Sequence, residues 1–389
     1  MLLGAVALLS ACGGDLAPEP PRVGTVTLQS VPVLRIGEKA ALRIDVLDTA
    51  GDPMSVPIEA VTFSVVDGGD ILRITNSEAE AISVGQAFVT ASVGGKVSAA
   101  VSVRVILRRY TVTDLGSLAG GYTRAMAING LGQVVGYSTL ADGTQRAFLW
   151  TPQHPNSTEG TMQDLGVLPG FVSSSASDLN DAGQATGNLT PASGHSGRGF
   201  LWQSGVMQII DGPVGSSYVY AKAINASAQV LILSNGSPYL WDAGTLTSCR
   251  GPMSDVIYGV ADLNDAGTAV GIYTIGPGAG TQYGWMFAGG VFSGGTLALP
   301  VAINNLGEVL TYYQDAPQVR MLSALNDVGQ SVGADASGAL LVEAGVTHAL
   351  NDMLDSGSRW HLDGALATNN SGQIVSYDGS SALLLTPQP

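Results

Sequence analysis

One short turn recurs seven times along this chain of 389 residues: Asn129-Gly-Leu-Gly132-Gln133, Asn180-Asp-Ala-Gly183-Gln184, Asn225-Ala-Ser-Ala228-Gln229, Asn264-Asp-Ala-Gly267-Thr268, Asn304-Asn-Leu-Gly307-Glu308, Asn326-Asp-Val-Gly329-Gln330 and Asn369-Asn-Ser-Gly372-Gln373. All seven copies begin with Asn, and six of them carry Gly at the fourth position. An Asn side chain bonds its own backbone two residues on, and Gly adopts the left-handed conformation that closes a tight loop. Each turn lies between alternating stretches such as Ala127-Ile128 and Val134-Val135, so the pattern predicts a β-hairpin at every copy. Ala228 stands where Gly is needed, which predicts a strained or re-routed turn there.

An aromatic third run follows in several copies: Ala147-Phe148-Leu149-Trp150, Gly199-Phe200-Leu201-Trp202, Pro238-Tyr239-Leu240-Trp241 and Gly284-Trp285-Met286-Phe287. A fourth run is clearest at Met162-Gln163-Asp164-Leu165-Gly166. Four strands per unit, repeated, is the pattern of a β-propeller blade. The Asn positions are spaced at blade length except from Asn304 to Asn326. That interval holds Val319-Arg320-Met321-Leu322 as a third strand and nothing for a fourth, so the count is about seven blades, or six if this unit merges with its neighbour. The last unit lacks a fourth strand, and Tyr110 to Gly116 matches one without a preceding unit. The N-terminal strand is therefore expected to close the ring.

Composition agrees with short strands and tight turns. Gly contributes 52 residues and charged residues only 12%, against about 25% in ordinary globular chains. The formal charge is -15, which repels a phosphate backbone and excludes nucleic acid as a partner class. No apolar run approaches the roughly 18 residues of a spanning helix.

The first residues read as an address. Leu2 to Leu9 are apolar, and Leu9-Ser10-Ala11-Cys12 follows with small residues beside a thiol. These residues resemble the lipobox of bacterial lipoproteins, which implies lipidation at Cys12 and attachment to a membrane through the lipid. Residues 13–22, GGDLAPEPPR, read as a solvated tether. Gly13 directly after Cys12 implies, by the same resemblance, passage to the outer membrane. With Cys12 lipidated, Cys249 has no disulfide partner and reads as a small core residue.

From Val23 to about residue 108, short alternating runs such as Leu42-Arg43-Ile44-Asp45-Val46 and Val61-Thr62-Phe63-Ser64-Val65 predict a β-sandwich. The run Val97, Ala99, Val101, Val103, Val105 is expected to place one face of a single strand inward. The order RIGEKAALRIDVLDTAGD, VTFSVVD, VGQAFVTASVGGKVSAAVSVRV resembles the bacterial Ig-like group 2 domain, in which such modules mostly act as spacers. Residues 109–389 resemble the HAF-repeat family of extracellular bacterial proteins, through DLGSLAGGYTRAMAINGLGQVVGYSTLADGTQRAFLW at 114–150 and LNDMLDSGSRWHLDGALATNNSGQIVSY at 350–377. That resemblance implies an exported, surface-associated propeller and carries no catalytic activity.

The expected architecture is thus all-β: signal and lipobox at 1–12, tether at 13–22, Ig-like sandwich at 23–108 and HAF-repeat propeller at 109–389. No catalytic constellation stands out. Asp181, Asp265 and Asp327 resemble the Asp-box of sialidases but lack its Ser and aromatic positions, so turn geometry accounts for them. Arg124, Arg146, Arg198, Arg250, Arg320 and Arg359 are scattered among units. Glu159, Glu308 and Glu343 show no pairing, and His154, His195, His348 and His361 have no metal-ligand spacing. No cofactor is expected. The function expected is an exported, lipid-anchored surface protein presenting a propeller that binds protein or glycan. The alternatives are a polysaccharide-acting enzyme, recognisable by an acidic pair or trio in one pocket, and a periplasmic scaffold for outer-membrane assembly.

Overall fold

The computed structural model describes residues 21–388 except 107, 194–196, 254–255, 276–279, 314–319 and 356. The chain divides after residue 107 into two units. Strands dominate both, and two single-turn 3₁₀ segments, Ile58–Ala60 and Leu350–Met353, are the helical elements among the described residues.

The first unit is built of three small sheets. Val23–Leu28 pairs antiparallel with Ile44–Asp48. Val101–Ile106 lies between Gly85–Val93 and the short Leu34–Arg35, and Thr62–Asp67 flanks the far side of Gly85–Val93. Glu78–Ala81 sits between Lys39–Ala41 and Leu72–Thr75. Alternation does the work expected of it in Gly85–Val93, whose Ala87, Val89, Ala91 and Val93 are buried together with Leu72, Val103 and Val105. The run from Val97 to Val105 departs from the expectation. Gly94 and Gly95, both at positive φ, fold Lys96–Val97 back onto Val93. Val97 is left 64% exposed. Ser98 then turns inward, donates to the carbonyl of Ala99 and accepts from the Ala91 amide, and the strand restarts at Val101. A tight glycine hairpin thus shifts the phase of the alternation.

In the second unit seven antiparallel sheets follow the seven turns. The Asn129 sheet is ordered Thr123–Ile128, Val134–Thr139, Gln145–Pro152, Gly160–Gly166, and the Asn180, Asn225, Asn264 and Asn326 sheets repeat this four-stranded meander. The Asn369 sheet takes its fourth strand from Tyr110–Asp114, which pairs antiparallel with Ser381–Pro387, Tyr110 opposite Pro387 and Asp114 opposite Leu383. Among the described residues the Asn304 sheet has two strands, Ala298–Ile303 and Val309–Tyr313. Arg320 to Leu322, expected as its third strand, belong instead to the first strand of the Asn326 sheet, opposite Gly333 to Asp335. The arrangement is propeller-like.

Apolar side chains pack between neighbouring sheets. Val135, Leu149 and Leu165 meet Ala176, Phe200 and Trp202 of the next sheet. Between the first and last sheets, Val134, Phe148 and Trp150 meet Val375 and Leu384. Large third-strand side chains stand opposite small second-strand residues: a Cβ added at Gly187 would lie 2.8 Å from Phe200, and one at Gly271 2.7 Å from Trp285. In all seven sheets the first strand carries a bulge just before the turn, as between Ala125 and Ala127 or Val260 and Asp262. Such a bulge re-aims the side chains that follow it.

Candidate functional site

The turn residues satisfy one another to saturation. The Asn129 amide N–H donates to the Gln133 carbonyl (3.0 Å) and the Gly132 N–H to the Asn129 carbonyl (3.1 Å). Asn129 Oδ1 accepts from the N–H groups of Leu131 (3.1 Å) and Gln133 (2.9 Å). Its Nδ2 donates to Gln133 Oε1 (2.9 Å) and to the carbonyl of Asn180 in the next copy (3.0 Å). That last bond repeats from Asn180 to Asn225, Asn225 to Asn264, Asn264 to Asn304, Asn304 to Asn326 and Asn326 to Asn369. Asn369 then donates to the carbonyl of Asn129 (3.0 Å). All seven Asn side chains are buried, as groups with every polar valence met can be. In the five copies where the residue after the turn is Gln, it extends the network outward: Gln133 Nε2 donates to Thr151, Gln184 to Gln203, Gln229 to Asp242, Gln330 to Glu343 and Gln373 to Thr386, each near the end of its sheet's third strand.

A second tier lies on the next turn position. Asp181 Oδ1 accepts from the Gly130 N–H, Asp265 from Ala226, Asn305 from Asp265, Asp327 from Asn305 and Asn370 from Asp327. The chain of bonds is interrupted where the acceptor position holds Ala226 or Gly130, neither of which has a side-chain oxygen. The Asp residues that resemble an Asp-box thus fasten one turn to its neighbour.

These turns surround a cavity of about 240 Å³ to which all seven copies contribute. Its mouth carries Asp181, Asp265 and Asp327, with the apolar turn residues Leu131, Leu306 and Val328 exposed next to it. Deeper in are Asp178 and Asp262. Asp178 accepts from its neighbour Leu179 (2.8 Å) and from Ile224 of the next sheet (2.8 Å); Asp262 repeats this with Leu263 (2.8 Å) and Ile303 (2.9 Å). Both residues are half-buried and line the cavity. Burial pushes Asp178 up to about 7, aided by the charge of Asp262 and opposed by the two N–H donors and by Lys222. Burial raises Asp262 as well, against the same kinds of donors and Lys222. Lys222 lies on the first strand of the intervening sheet.

Sequence reasoning passed over Asp178, Asp262 and Lys222. The signal was available: the residue two before each Asn is Ala in five copies and Asp in two. Asp at a position where five equivalents need only a small side chain marks an added polar contact.

The other singled-out residues do not converge. Arg124 stacks over Tyr377, Arg359 over Trp360, and Arg146 donates to the Val172 carbonyl. Arg198 lies 3.7 Å from Asp211, and Arg250 donates to the Met253 carbonyl. Glu308 accepts from Asn304, while Glu343 accepts from Gln330 and, at 2.6 Å, from Arg108. Cys249 is buried, its thiol pushed up to about 12 by that burial. Among the described residues no group of three His, Cys, Asp or Glu side chains is placed to hold a metal ion. Cys12 and His195 lie outside the described residues. Gly132, Gly183, Gly267, Gly307, Gly329 and Gly372 all sit at φ between 72° and 82°, and Ala228 follows them at 61°. The Asn225 turn keeps both closing bonds, so it is not re-routed; the alanine takes up the left-handed conformation itself.

No family model matches the chain, and no curated protein matches it. Among solved structures it is similar to a structural genomics protein of unknown function from Bacteroides thetaiotaomicron, at 11% identity over 96% of this chain and 99% of that one, with a TM-score of 0.41. It is similar to TolB from Acinetobacter baumannii, at 11% identity over 93% and 79%, TM-score 0.35. The β-propeller domain of the Trilobed protease from Pyrococcus furiosus matches at 11% identity over 85% and 99%, TM-score 0.34.

Proposed function

We propose that this chain is an exported, lipid-anchored binding protein. In this reading Cys12 carries the lipid, residues 13–22 form the tether, residues 23–108 an Ig-like spacer, and residues 109–389 a HAF-repeat propeller of seven blades, the Asn304 blade reduced to two strands. The pairing of Tyr110–Asp114 with the last sheet and the bond from Asn369 to Asn129 support a closed ring. The observation that carries the binding role is the cavity lined by all seven copies, acidic at its mouth and flanked by exposed Leu131, Leu306 and Val328. Carboxylates beside apolar surface suit a basic segment of a partner protein, whose approach the overall charge of -15 also favours.

The test is a pull-down from a panel of proteins and glycans with the wild-type chain and with Asp181, Asp265 and Asp327 all changed to Asn. The amides retain an acceptor oxygen for the turn bonds and remove the charge. Specific, salt-sensitive capture that falls at least tenfold in the triple variant supports the reading; capture at background across the panel overturns it. Incorporation of labelled fatty acid that disappears in Cys12→Ser, and release of the propeller by protease from intact cells, test the anchor and the surface placement separately.

One observation favours a second reading. Burial, aided by the charge of Asp262, pushes Asp178 up to about 7, and such a raised carboxyl is what a general acid requires. A polysaccharide-acting enzyme of this kind would release reducing ends, and Asp178→Asn would abolish the release. No release from any polysaccharide offered rejects it.

A further inference from the structure

Among the described residues the Asn304 sheet has two strands. Among the described residues Val309–Tyr313 pairs with Ala298–Ile303 alone, which leaves one row of backbone donors and acceptors along an open edge. Six residues separate it from Arg320, where the next sheet begins.

The other six sheets show what belongs on that edge. In the Asn129 sheet, Val134, Val135, Gly136 and Tyr137 face Trp150, Leu149, Phe148 and Ala147. In the Asn225 sheet, Val230, Leu231, Ile232 and Leu233 face Trp241, Leu240, Tyr239 and Pro238. The remaining four sheets keep the order: read forward, the third strand is a small residue, a bulky one, Leu or Met, then another bulky one. Under that cover Val134, Val135, Val230 and Leu231 are fully buried. Val309 and Leu310, at the same register, are half-exposed, and Tyr312 is 37% exposed. The second strand of this sheet thus has the apolar surface of its siblings without the strand that covers it.

We propose that the edge Val309–Tyr313 receives an extended segment of a partner protein, antiparallel, with the pattern small–aromatic–Leu–aromatic. The small residue stands opposite Tyr312, an aromatic opposite Thr311, Leu opposite Leu310 and a large aromatic opposite Val309. Backbone bonds supply affinity and the side-chain order supplies specificity, as in other strand additions. A second copy of this chain offers Val-Leu-Thr-Tyr-Tyr at the same edge, which lacks the pattern; the occupant is a different polypeptide. This edge is independent of the axial mouth.

The probe is a fluorescent peptide with the sequence of Gln145–Pro152, QRAFLWTP, which already carries the pattern. Saturable binding is expected, with hydrogen-exchange protection confined to the amides of residues 309–313. Replacing the peptide's Leu by Asp, or N-methylating alternate amides, is expected to weaken binding at least tenfold. Leu310→Asp, checked by its melting curve, is expected to do the same, and the exchange measurement localises the peptide even if that variant fails to fold. Absence of saturable binding, protection elsewhere, or equal binding of the N-methylated peptide overturns the proposal. Concentration-dependent protection of the edge in the free protein assigns it to a second copy and overturns it as well.

Discussion

Asn369 donates its side-chain amide to the carbonyl oxygen of Asn129, 3.0 Å away and 240 residues distant in sequence. The same side chain accepts from Ser371 and Gln373 and donates to Gln373 Oε1. Asn369→Ala deletes these bonds at once, leaves the Asn129 carbonyl with the Gly132 N–H as its donor, and strands the N–H of buried Gln373, for which about 1–3 kcal/mol is typical. All five tryptophans lie beyond residue 108, so tryptophan fluorescence follows the second unit without signal from the first. In urea, Asn369→Ala is expected to lower the midpoint by more than any change at the exposed Asn305. A midpoint within error of wild type would show that the bond from Asn369 to Asn129 is not what fastens the last sheet to the first.

Ala228 supplies a test of the opposite sign. It holds φ 61°, a conformation that costs a residue bearing Cβ about 1–2 kcal/mol. Ala228→Gly removes that cost without disturbing the bonds that close the turn, and is expected to raise stability by about 1 kcal/mol. Gly132→Ala is expected to lower it further than backbone conformation alone demands. There a new Cβ would lie 2.8 Å from Gln373 Oε1 and 3.0 Å from Asn156 Cα.

How much of this was legible in the sequence follows from the range of each interaction. The hairpins were, because Asn and Gly act within four residues of one another. The fourth strand supplied by Tyr110–Asp114 was also readable, since a strand pattern without a unit has to pair somewhere. The bond from each Asn to the next copy was not, because a side chain that saturates its own turn shows no remainder in sequence. Asp178 and Asp262 were visible only as departures from Ala in a column of seven. Arg320 to Leu322 was misplaced because a third strand and a first strand share the same alternation, and only pairing separates them. At Val97 a two-glycine turn changed which residues face inward.

The axial carboxyls predict a pH dependence. Folding raises Asp178 from its ordinary value to about 7, so the native state holds this proton more tightly than the unfolded chain. Stability contributed by the protonated carboxyl is full below the unfolded value near 4 and is lost as pH rises toward 7. The slope for one group cannot exceed about 1.4 kcal/mol per pH unit. Asp178→Asn is expected to flatten the decline between pH 4 and 7. Its absolute stability falls too, because the amide keeps one acceptor oxygen where the carboxyl offers one to Leu179 and the other to Ile224, and its NH2 can only donate. An unchanged slope would show that the carboxyl is ionised throughout the range.

Cys249 is buried, with its thiol pushed up to about 12. Thiolate is the reactive form, so modification requires exposure. Disulfide-exchange reagents at pH 8 are expected to label Cys249 only as fast as the second unit opens, and urea below the unfolding midpoint is expected to accelerate labelling in step with the unfolded fraction. Rapid labelling of the native chain would contradict the packing around this residue.

Trp285 joins packing and polarity in one side chain. Its ring is 1% exposed, packs edge-on against Tyr258, and donates Nε1–H to the carbonyls of Gly259 and Ile272, each at 3.0 Å. Gly271 makes room for it, since a Cβ there would meet both the indole and the Gly259 carbonyl. Trp285→Phe removes the donor and leaves a void that the tight glycine contact keeps from closing, so about 2–4 kcal/mol is expected to be lost. Trp360→Phe, at a half-buried position beside Arg359, is expected to cost under about 1 kcal/mol. Near-equal losses for the two would place the stability of the Asn264 sheet in area buried alone, and would remove the indole donor from the account of how its first two strands are held.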